Sequence, residues 1–419
     1  MSSFSCPIVT IKTVEKHKNA DSLDILTFDE IGWVCVDKIG IRKPGDLVVY
    51  IPVDAMVDCS REEFKFLEKN AKMRDVLING PEPVDHEWVE DGEVLNWIPE
   101  YQKRPITRIK TIRLRGEISC GLVIDIPNPL FIFHDEQNTS IEVLPETGTD
   151  CSFHFGITKY EPSQEAIFSA NAKGNFPSWC PKTDCERYNN FNRIIQPYQT
   201  QDWYITKKMD GTSISIFYDS EREEDEYGVC SRNQELKRPE QDLTQEEVSK
   251  YGFKLDVYWK AALEYNLFEK AKQIAIDYGY SKVAIQAELC GPGIQSNRMG
   301  LSKCQPFIFD IYVIKERFSG YIDHEILWKQ FEKKYSLQMT PVLNCSGLLR
   351  ESRPMFCDAT SDIDFSWVHK LTYDNGYPAE GVVCVPAKEK YVEKLGRLKV
   401  KYINPIFLLS IDKKDHNQR

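Results

Sequence analysis

A lysine followed closely by an acid and a glycine is the feature of this chain best suited to chemistry. The motif Lys208-Met209-Asp210-Gly211 lies between two strand-like apolar runs. A lysine is a nucleophile only when deprotonated, so it needs a site where nearby cations or loss of water disfavour its ammonium form. Asp210 would lie on the same side of an extended strand as Lys208, and Gly211 would allow a ligand to approach the backbone closely. Because such short motifs also occur in exposed turns, their meaning depends on the rest of the chain.

Isolated charged residues recur after this motif within short apolar segments. They are Arg232, Glu288, Asp310, Glu380, Lys399 and Lys401. A charge on a buried strand is costly without a partner, so a series of them favours one shared site over separate structural roles. Glu288 and Glu380, with Asp210, could hold a hydrated divalent cation. Lys399 and Lys401 are two positions apart, so a strand would present both ammonium groups on one face, toward phosphate.

This ordered set resembles the motifs of the covalent nucleotidyltransferases, a superfamily that includes DNA ligases, RNA ligases and RNA capping enzymes. The resemblance covers roughly residues 180–405. It implies that Lys208 attacks the α-phosphorus of ATP and becomes adenylylated, with Lys207, outside the motif, as the alternative nucleophile. It also implies that Phe309 stacks on the adenine, although an aromatic residue in the apolar run FIFDIYV also suits a protein core.

The same resemblance assigns roles to the charged residues. Glu288 would contact the ribose or the metal shell, and Glu380 would bind the metal through water. Lys399 and Lys401 would hold the phosphates. Arg232 would contact a phosphate of the nucleotide or of the incoming 5′ end.

Two features narrow the resemblance to nick-sealing RNA ligases whose OB domain precedes the nucleotidyltransferase domain. DNA ligases and capping enzymes carry an OB domain after the lysine pair, but only a short segment follows Lys401, and the all-β region is N-terminal. The segments KTDCER (Lys182–Arg187) and GPGIQSN (Gly291–Asn297) resemble elements of that family. Arg187 would then be a catalytic arginine near the substrate ends. Ala287 departs from the glycine expected at its position.

The resemblance therefore implies three sets of site residues. The catalytic set is Lys208, Asp210, Arg187 and Arg232. The ATP-binding set is Lys208, Glu288, Phe309, Lys399 and Lys401. The metal-binding set, for Mg²⁺ or Mn²⁺, is Asp210, Glu288 and Glu380.

The expected fold is of the α+β class. It has an N-terminal all-β OB-like barrel and a mixed α/β nucleotidyltransferase domain, ATP-grasp-like, with antiparallel sheets. Short strand-like segments from about Ile8 to Ile126 are separated by turn signals such as Pro44-Gly45. The expected limits are residues 1–130 for the OB-like domain, 131–178 for a connector and 179–419 for the nucleotidyltransferase domain. Apolar residues at helical spacing predict one amphipathic helix over Leu255–Tyr278.

A basic stretch near the end of the β-rich region is a candidate nucleic-acid contact. The segment Gln102–Gly116 contains no acid, whereas the whole chain has a formal charge of −11. The candidate contact residues are Arg104, Arg108, Lys110, Arg113 and Arg115. If the segment is one strand, its two faces carry different pairs of these charges and could follow phosphates. A solvated edge strand with protective charge is the alternative.

The composition is that of an ordinary globular protein. With 42% hydrophobic and 28% charged residues, it excludes a largely disordered chain. No secretory leader or apolar run long enough to span a membrane is evident, and the odd number of cysteines favours reduced thiols inside the cell, in the cytoplasm or nucleus. The expected partners are ATP and RNA, as a nicked duplex or broken ends, with the chain acting as a monomer away from membranes. The alternatives are a GTP-dependent RNA guanylyltransferase and a catalytically inactive nucleic-acid-binding protein.

Overall fold

Packing divides the chain into two units, each described here by itself. The computed structural model describes residues 4–77, 89–90, 93–94, 101–134, 139–160, 172–199, 201–222, 226–237, 257–345, 365–393 and 395–417. The N-terminal unit is Ser3–Pro162, and the C-terminal unit contains Ser163–Arg419. The expected domain limits at residues 130 and 178 stay predictions, and the packing division at residue 162 lies between them.

The N-terminal unit consists almost entirely of strands in its described residues. In chain order they are β1 (Ile8–Lys16), β2 (Leu23–Phe28), β3 (Val34–Lys38), β4 (Leu47–Ile51), β5 (Ala55–Asp58), β6 (Lys72–Leu77), β7 (Val89–Glu90), β8 (Glu93–Val94), β9 (Tyr101–Arg108), β10 (Thr111–Leu114), β11 (Glu117–Cys120), β12 (Leu122–Ile124), β13 (Leu130–His134), β14 (Thr139–Val143) and β15 (Thr158–Lys159). A 3-10 helix spans Lys65–Asn70, and α1 spans Ser152–Phe155.

These strands form sheets around a shared apolar core. The larger sheets have the strand orders β12-β4-β1-β2-β3 and β15-β5-β9-β6, and all neighbours in them are antiparallel. The pairs β7-β8, β10-β11 and β13-β14 complete the unit. Alternation along each strand directs one set of side chains inward. Ile8, Val49, Ile51, Val57 and Phe155 are among the fully buried residues that result.

The basic stretch Gln102–Gly116 is not one strand, and the sequence-based prediction is wrong on this point. Strand β9 ends at Arg108, β10 begins at Thr111, and the chain then turns back at Arg115 and Gly116 with φ of 44° and 106°. Glycine adopts positive φ without steric cost, so Gly116 permits the hairpin into β11. The basic residues are therefore divided between two sheets.

The C-terminal unit combines two larger sheets with several helices in its described residues. Its strands are β16 (Ala172–Asn175), β17 (Glu186–Arg187), β18 (Trp203–Lys208), β19 (Thr212–Asp219), β20 (Tyr227–Cys230), β21 (Gln234–Leu236), β22 (Lys282–Cys290), β23 (Gln305–Lys315), β24 (Phe318–Tyr321), β25 (Val342–Cys345), β26 (Gly381–Pro386), β27 (Tyr391–Val392), β28 (Gly396–Arg397) and β29 (Val400–Ile403). Its α-helices are α2 (Tyr188–Ile195), α3 (Val257–Glu264), α4 (Leu267–Tyr278), α5 (His324–Ile326), α6 (Glu332–Lys334) and α7 (Pro405–Asn417). A π-helix, Leu327–Phe331, joins α5 to α6, and 3-10 helices span Gln196–Tyr198, Gln295–Asn297 and Ser366–Lys370.

The seven-stranded sheet, in the order β16-β21-β20-β19-β22-β23-β24, has two different faces. Ile214, Ile216 and Ile285 are fully buried in the cluster that includes helices α3 and α4. The residues between them on each strand point to the opposite face. Ser213 and Glu288, which are opposite each other in register, lie on that second face.

The helix predicted over Leu255–Tyr278 is two helices in the described residues, α3 and α4. The break is at Asn266, whose φ of 52° and ψ of 39° are left-handed and cannot continue a helix. Trp259 in α3 and Phe268 in α4 pack against each other across the break, with ring centroids 5.4 Å apart. Helical periodicity in the sequence does not reveal a single left-handed residue, so the pattern predicted one element.

The second larger sheet, in the order β17-β29-β26-β18-β25, packs against the first through one face. Tyr204 and Val385 belong to the core cluster of the seven-stranded sheet, whereas Ile205 and Cys384 face Tyr188 and its neighbours. The predicted α+β class with mainly antiparallel sheets is confirmed. No helix in the described part of the chain combines the length and apolar character needed to span a bilayer.

Candidate active site

The ammonium group of Lys208 lies against the carboxylate of Glu380. Lys208 is the last residue of β18 and pairs with Gly381, the first residue of β26. The next residue back, Glu380, therefore lies at the same end of the strand pair. The distance between Lys208 Nζ and Glu380 Oε2 is 2.8 Å, and the two side chains are only 21% and 19% exposed. Two residues distant in sequence thus meet at one sheet end.

Charge and burial compete at this pair. Burial favours the neutral form of Lys208, but Glu380 and Glu288 outweigh it and raise the pKa of the lysine above its usual value. Burial also raises the pKa of Glu288 to about 7, against the attraction of Lys208 and with the repulsion of Glu380 and Asp210. The structure therefore brings Lys208, Asp210, Glu288 and Glu380 into one electrostatic group.

Asp210 is held by an arginine that sequence reasoning did not find. Arg298 Nη1 donates to Asp210 Oδ2 at 2.9 Å and to the Gln295 carbonyl at 2.9 Å. Burial raises the pKa of Asp210 above its usual value even though Arg298 opposes the shift. Arg298 directly follows the segment GPGIQSN, which was the available signal for it.

Gly211 is required by strand packing, which corrects the expectation that it makes room for a ligand. A Cβ at this position would lie 2.3 Å from the Leu289 carbonyl oxygen and 2.7 Å from Cys290 Sγ. Both contacts belong to β22, next to Glu288. The glycine therefore lets β19 approach the strand that carries this acid.

Gly211→Ala is expected to weaken the enzyme by separating these strands. Forcing a methyl group into a close-packed site should cost about 1–3 kcal/mol of stability and misplace Glu288 relative to Lys208. Thermal unfolding and AMP attachment should both decline. Gly174→Ala is the matched control, since a Cβ there meets nothing within 4 Å. Equal behaviour of the two variants would contradict the packing explanation.

Phe309 is half-buried at a β-bulge between β22 and β23. Gln286 pairs with Asp310 and Ala287 pairs with Ile308, so Phe309 is the extra residue. A bulge redirects a side chain and disrupts the local ladder. Lys399 Nζ lies 4.5 Å from the centroid of the Phe309 ring, a cation–π contact. The ring is therefore partly accessible and next to one of the predicted phosphate-binding lysines.

Asp310 is the centre of a buried charge cluster. Arg397 donates to both of its carboxylate oxygens at 2.9 and 2.7 Å, and Lys399 Nζ donates at 2.6 Å. His324 Nε2 lies 3.1 Å from Asp310 Oδ1. Arg397 was missed by sequence reasoning, although it precedes Lys399 by two residues. Asp310 thus connects β23 to the segment that bears the lysine pair.

The compact set of metal-type ligands in the described residues is Asp310, His324 and Glu389. Their ligand atoms lie within 4.8 Å of one another. Arg397 bonds both carboxylates, and Lys399 bonds Asp310. Because these cations already neutralise the acids, the set does not suit a metal ion.

Lys401 and Arg187 lie beside each other near Lys208. They are register partners in the parallel pair of β29 and β17. Burial, with Lys208 and Arg187 nearby, lowers the pKa of Lys401 below its usual value. Cys185 interacts electrostatically with Lys208, Lys399 and Lys401, so it lies between the two lysines of the pair and the candidate nucleophile. Crowded cations of this kind favour an anionic ligand.

Arg232 lies on a more exposed part of the same unit. Its Nη2 is 2.6 Å from Asp184 Oδ1, and the side chains are 64% and 56% exposed. Nearby, the Thr183 and Ser213 hydroxyl groups are 2.9 Å apart. The structure thus ties the KTDCER segment to the sheet but shows no contact of Arg232 with the Lys208 group within the described residues.

The candidate nucleic-acid residues of the N-terminal unit fall into two groups. Arg104 bonds Asp58 at 2.9 Å, and Arg108 bonds Asp54 at 2.9 Å through its Nε. Arg113 is exposed on β10, as is Arg115 in the turn after it, whereas Lys110 is half-buried.

Comparisons with known proteins agree with this arrangement. The family model for RNA ligase matches residues 201–403, and the model for an OB-fold domain matches residues 6–79. A Naegleria gruberi RNA ligase mutant with ATP and Mn is similar over 97% of this chain and 99% of that chain, at 23% identity and a TM-score of 0.65. Naegleria gruberi RNA ligase with PPi is similar over 99% of both chains, at 23% identity and a TM-score of 0.64. No curated protein sequence matches the chain significantly.

The likeness to the solved structures establishes a shared fold along the chain. The matched RNA ligase region contains Lys208, Asp210, Glu288, Glu380 and Lys401. The sequence-based resemblance and the expected N-terminal OB domain are both confirmed. The chain therefore belongs to the RNA ligase family, with an OB-fold domain ahead of its ligase domain.

Proposed function

We propose that this enzyme uses ATP to join a 3′-hydroxyl to a 5′-phosphate in RNA, through an AMP bound to Lys208 and an adenylylated 5′ end. The observation that carries the proposal is the position of Lys208. Its amine lies 2.8 Å from Glu380 and within the field of Glu288, next to the cations Lys401 and Arg187. This is a nucleophile between a group of acids and a group of phosphate-binding residues.

Lys208 must lose a proton before it can attack phosphorus. Glu380 and Glu288 hold its pKa above the usual value, so the ammonium form is favoured. The carboxylates fit a divalent cation such as Mg²⁺ or Mn²⁺, because burial and mutual repulsion raise the pKa of Glu288 to about 7 and oxygen ligands suit such ions. The residues that would hold it, through water, are Asp210, Glu288 and Glu380. A bound cation would offset their charge, lower the pKa of Lys208 and neutralise the α-phosphate.

In the first step, a bond forms between Lys208 Nζ and the α-phosphorus as the bond to the bridging oxygen of the β-phosphate breaks. Pyrophosphate leaves. Lys399 and Lys401 would hold the phosphates, since phosphoryl transfer depends mainly on positioning and charge stabilisation. Phe309 would stack on the adenine, with its half-buried ring at the bulge.

In the later steps, AMP passes to the 5′-phosphate of RNA, and the 3′-hydroxyl attacks that phosphorus to release AMP. Arg187, beside Lys401, is the candidate to hold the 5′ end, and Arg232 would contact a phosphate. The N-terminal unit would position the RNA. Its exposed Arg113 and Arg115 are the best placed for phosphate contact, because Arg104 and Arg108 already bond acids.

Ligands of the structural relatives support the nucleotide and the metal. Naegleria gruberi RNA ligase mutants have been solved with ATP and Mn and with AMP and Mn, and the enzyme has been solved with PPi. These are the substrate, the transferred group and the leaving group of the first step proposed here. RNA is the proposed substrate, and a single chain supplies every proposed site residue, in keeping with a monomer.

The discriminating experiment is incubation of the chain with labelled ATP and, separately, labelled GTP. Label from ATP that survives acid denaturation supports the ligase. Label from GTP alone would support an RNA guanylyltransferase instead. No label from either nucleotide, with RNA binding retained, would support a catalytically inactive RNA-binding protein.

A chain that begins at Ser163 is expected to keep AMP attachment and lose RNA sealing. The proposed nucleotide pocket is made of residues after Pro181, whereas the proposed RNA-positioning unit ends at Pro162. Adenylylated RNA should accumulate, because its 3′-hydroxyl partner is no longer held in place. Thin-layer or gel separation of the three reaction products measures this.

The matched control for that fragment is the full chain with Arg113→Gln and Arg115→Gln. It should retain AMP attachment and show a shallower dependence of RNA binding on salt. A fragment that seals nicks as well as the full chain would remove the proposed role of the N-terminal unit and leave the Lys208 chemistry intact.

A further inference from the structure

A single tyrosine hydroxyl joins the backbones of the two residues that form the central ion pair. Tyr373 Oη donates to the Lys208 carbonyl at 2.9 Å and accepts from the Glu380 N–H at 3.1 Å. Tyr373 is 3% exposed, so water does not compete freely for either bond. This residue has no motif spacing to Lys208, and sequence reasoning did not select it.

The position of the hydroxyl follows from the way the strand pair ends. Backbone pairing between β18 and β26 runs up to Lys208 and Gly381. A Cβ on Gly381 would lie 2.1 Å from the Tyr402 carbonyl, so β29 holds this end of β26 from the other side. Beyond the last pair the two chains diverge, and the Tyr373 hydroxyl bridges the gap between them. One oxygen atom therefore sets the separation between the Cα atoms of Lys208 and Glu380.

The loop that carries Tyr373 is itself closed by backbone contacts. Thr372 and Pro378 form an isolated bridge, and the Tyr373 N–H donates to the Tyr377 carbonyl at 2.8 Å. The side chain of Asn375 in this loop donates to the Arg298 carbonyl at 2.8 Å. Because Arg298 holds Asp210, the loop supports both acids that flank Lys208.

We propose that Tyr373 is a positioning residue for adenylyl transfer, which aligns the Lys208 amine with the α-phosphorus through its bonds to Lys208 and Glu380. The inference rests on the proposed function of Lys208. Burial raises the pKa of Tyr373 well above its usual value, so the phenol stays protonated and able to donate. Misplacing a nucleophile by about 1 Å can cost on the order of 100-fold in rate.

Tyr373→Phe removes the oxygen and keeps the ring. Single-turnover AMP attachment at saturating ATP should slow by about 10- to 100-fold, because the amine loses its fixed position. The ATP concentration for half-maximal rate should change by less than about 3-fold, since no ATP contact is removed. Thermal unfolding should stay close to that of the wild type.

Tyr335→Phe is the matched control. It also removes a tyrosine hydroxyl bond in the C-terminal unit, to Asp277 at 2.7 Å, but on helix α4. Its rate should equal that of the wild type. A Tyr373→Phe enzyme with wild-type rate overturns the proposal, as does one that fails to fold or changes only its ATP dependence. If the wild-type chain takes no label from ATP, the proposed function itself fails, and the role of Tyr373 falls with it.

Discussion

Lys208→Ala is expected to abolish both AMP attachment and RNA sealing. The variant removes the amine that lies 2.8 Å from Glu380, and no other amine can take its position at the end of β18. The adjacent Lys207 points to the opposite side of the strand, where its Nζ donates to the Thr372 carbonyl at 3.2 Å. Acid-stable label from ATP, read on a denaturing gel, measures the first step.

Lys207→Ala is the matched control for this substitution. It removes the same functional group one residue away and should keep labelling within about threefold of the wild type, since it takes away a single exposed contact. Both variants should show the circular dichroism of the wild type. Labelling that survives in Lys208→Ala and disappears in Lys207→Ala would reassign the nucleophile.

Asp310→Asn is expected to destabilise the C-terminal unit severely. The Asp310 side chain is 1% exposed and bonds Arg397 and Lys399, so loss of its charge leaves buried cations without compensation. Breaking a buried ion pair by removing one partner costs about 3–5 kcal/mol. AMP attachment should decline as well, because Lys399 loses the bond that holds it beside Phe309. Chemical unfolding measures the first effect.

The loss should depend on pH in a defined direction. Burial alone would raise the pKa of Asp310, but Arg397 and Lys399 outweigh it and hold the pKa well below the usual value. Its contribution to stability is therefore complete above the unfolded-state pKa, about 3.9, and is lost as the pH falls below that value. The difference between wild type and Asp310→Asn should narrow under acidic conditions.

Asp202→Asn is the control for this pH series. Asp202 is exposed, so the substitution should change stability by less than about 0.5 kcal/mol at every pH. Equal stability of Asp310→Asn and the wild type at neutral pH would show that the cluster does not stabilise the fold.

The local parts of the fold and the site could be predicted from the sequence. Alternation of apolar and polar residues indicates strands wherever one face is buried, and the α+β class and the N-terminal OB domain followed from it. Lys208 and Asp210 share one segment, so their common location required only strand geometry. Lys399 and Lys401 are similar, although the fold directs them to separate partners, Asp310 and the Lys208 group.

The partners of these residues could not be predicted in the same way. Arg298 reaches Asp210 from 88 positions away, and Tyr373 reaches Lys208 from 165 positions away. No periodicity relates such pairs, because the distance between them in space depends on sheet order and on where each strand ends. The division of the basic segment at Arg115 and the break at Asn266 depend on single positive φ angles, which composition does not reveal.

The sequence by itself thus determined which residue types were available for phosphate chemistry and in which strands they lie, because side-chain alternation is a local property. Tertiary structure alone decided which charges meet. It placed Lys208 against Glu380, neutralised Asp310 with Arg397 and Lys399, and set a tyrosine hydroxyl between two strand ends. The physical reason is that burial strengthens each interaction between charges, and burial exists only after distant strands have packed.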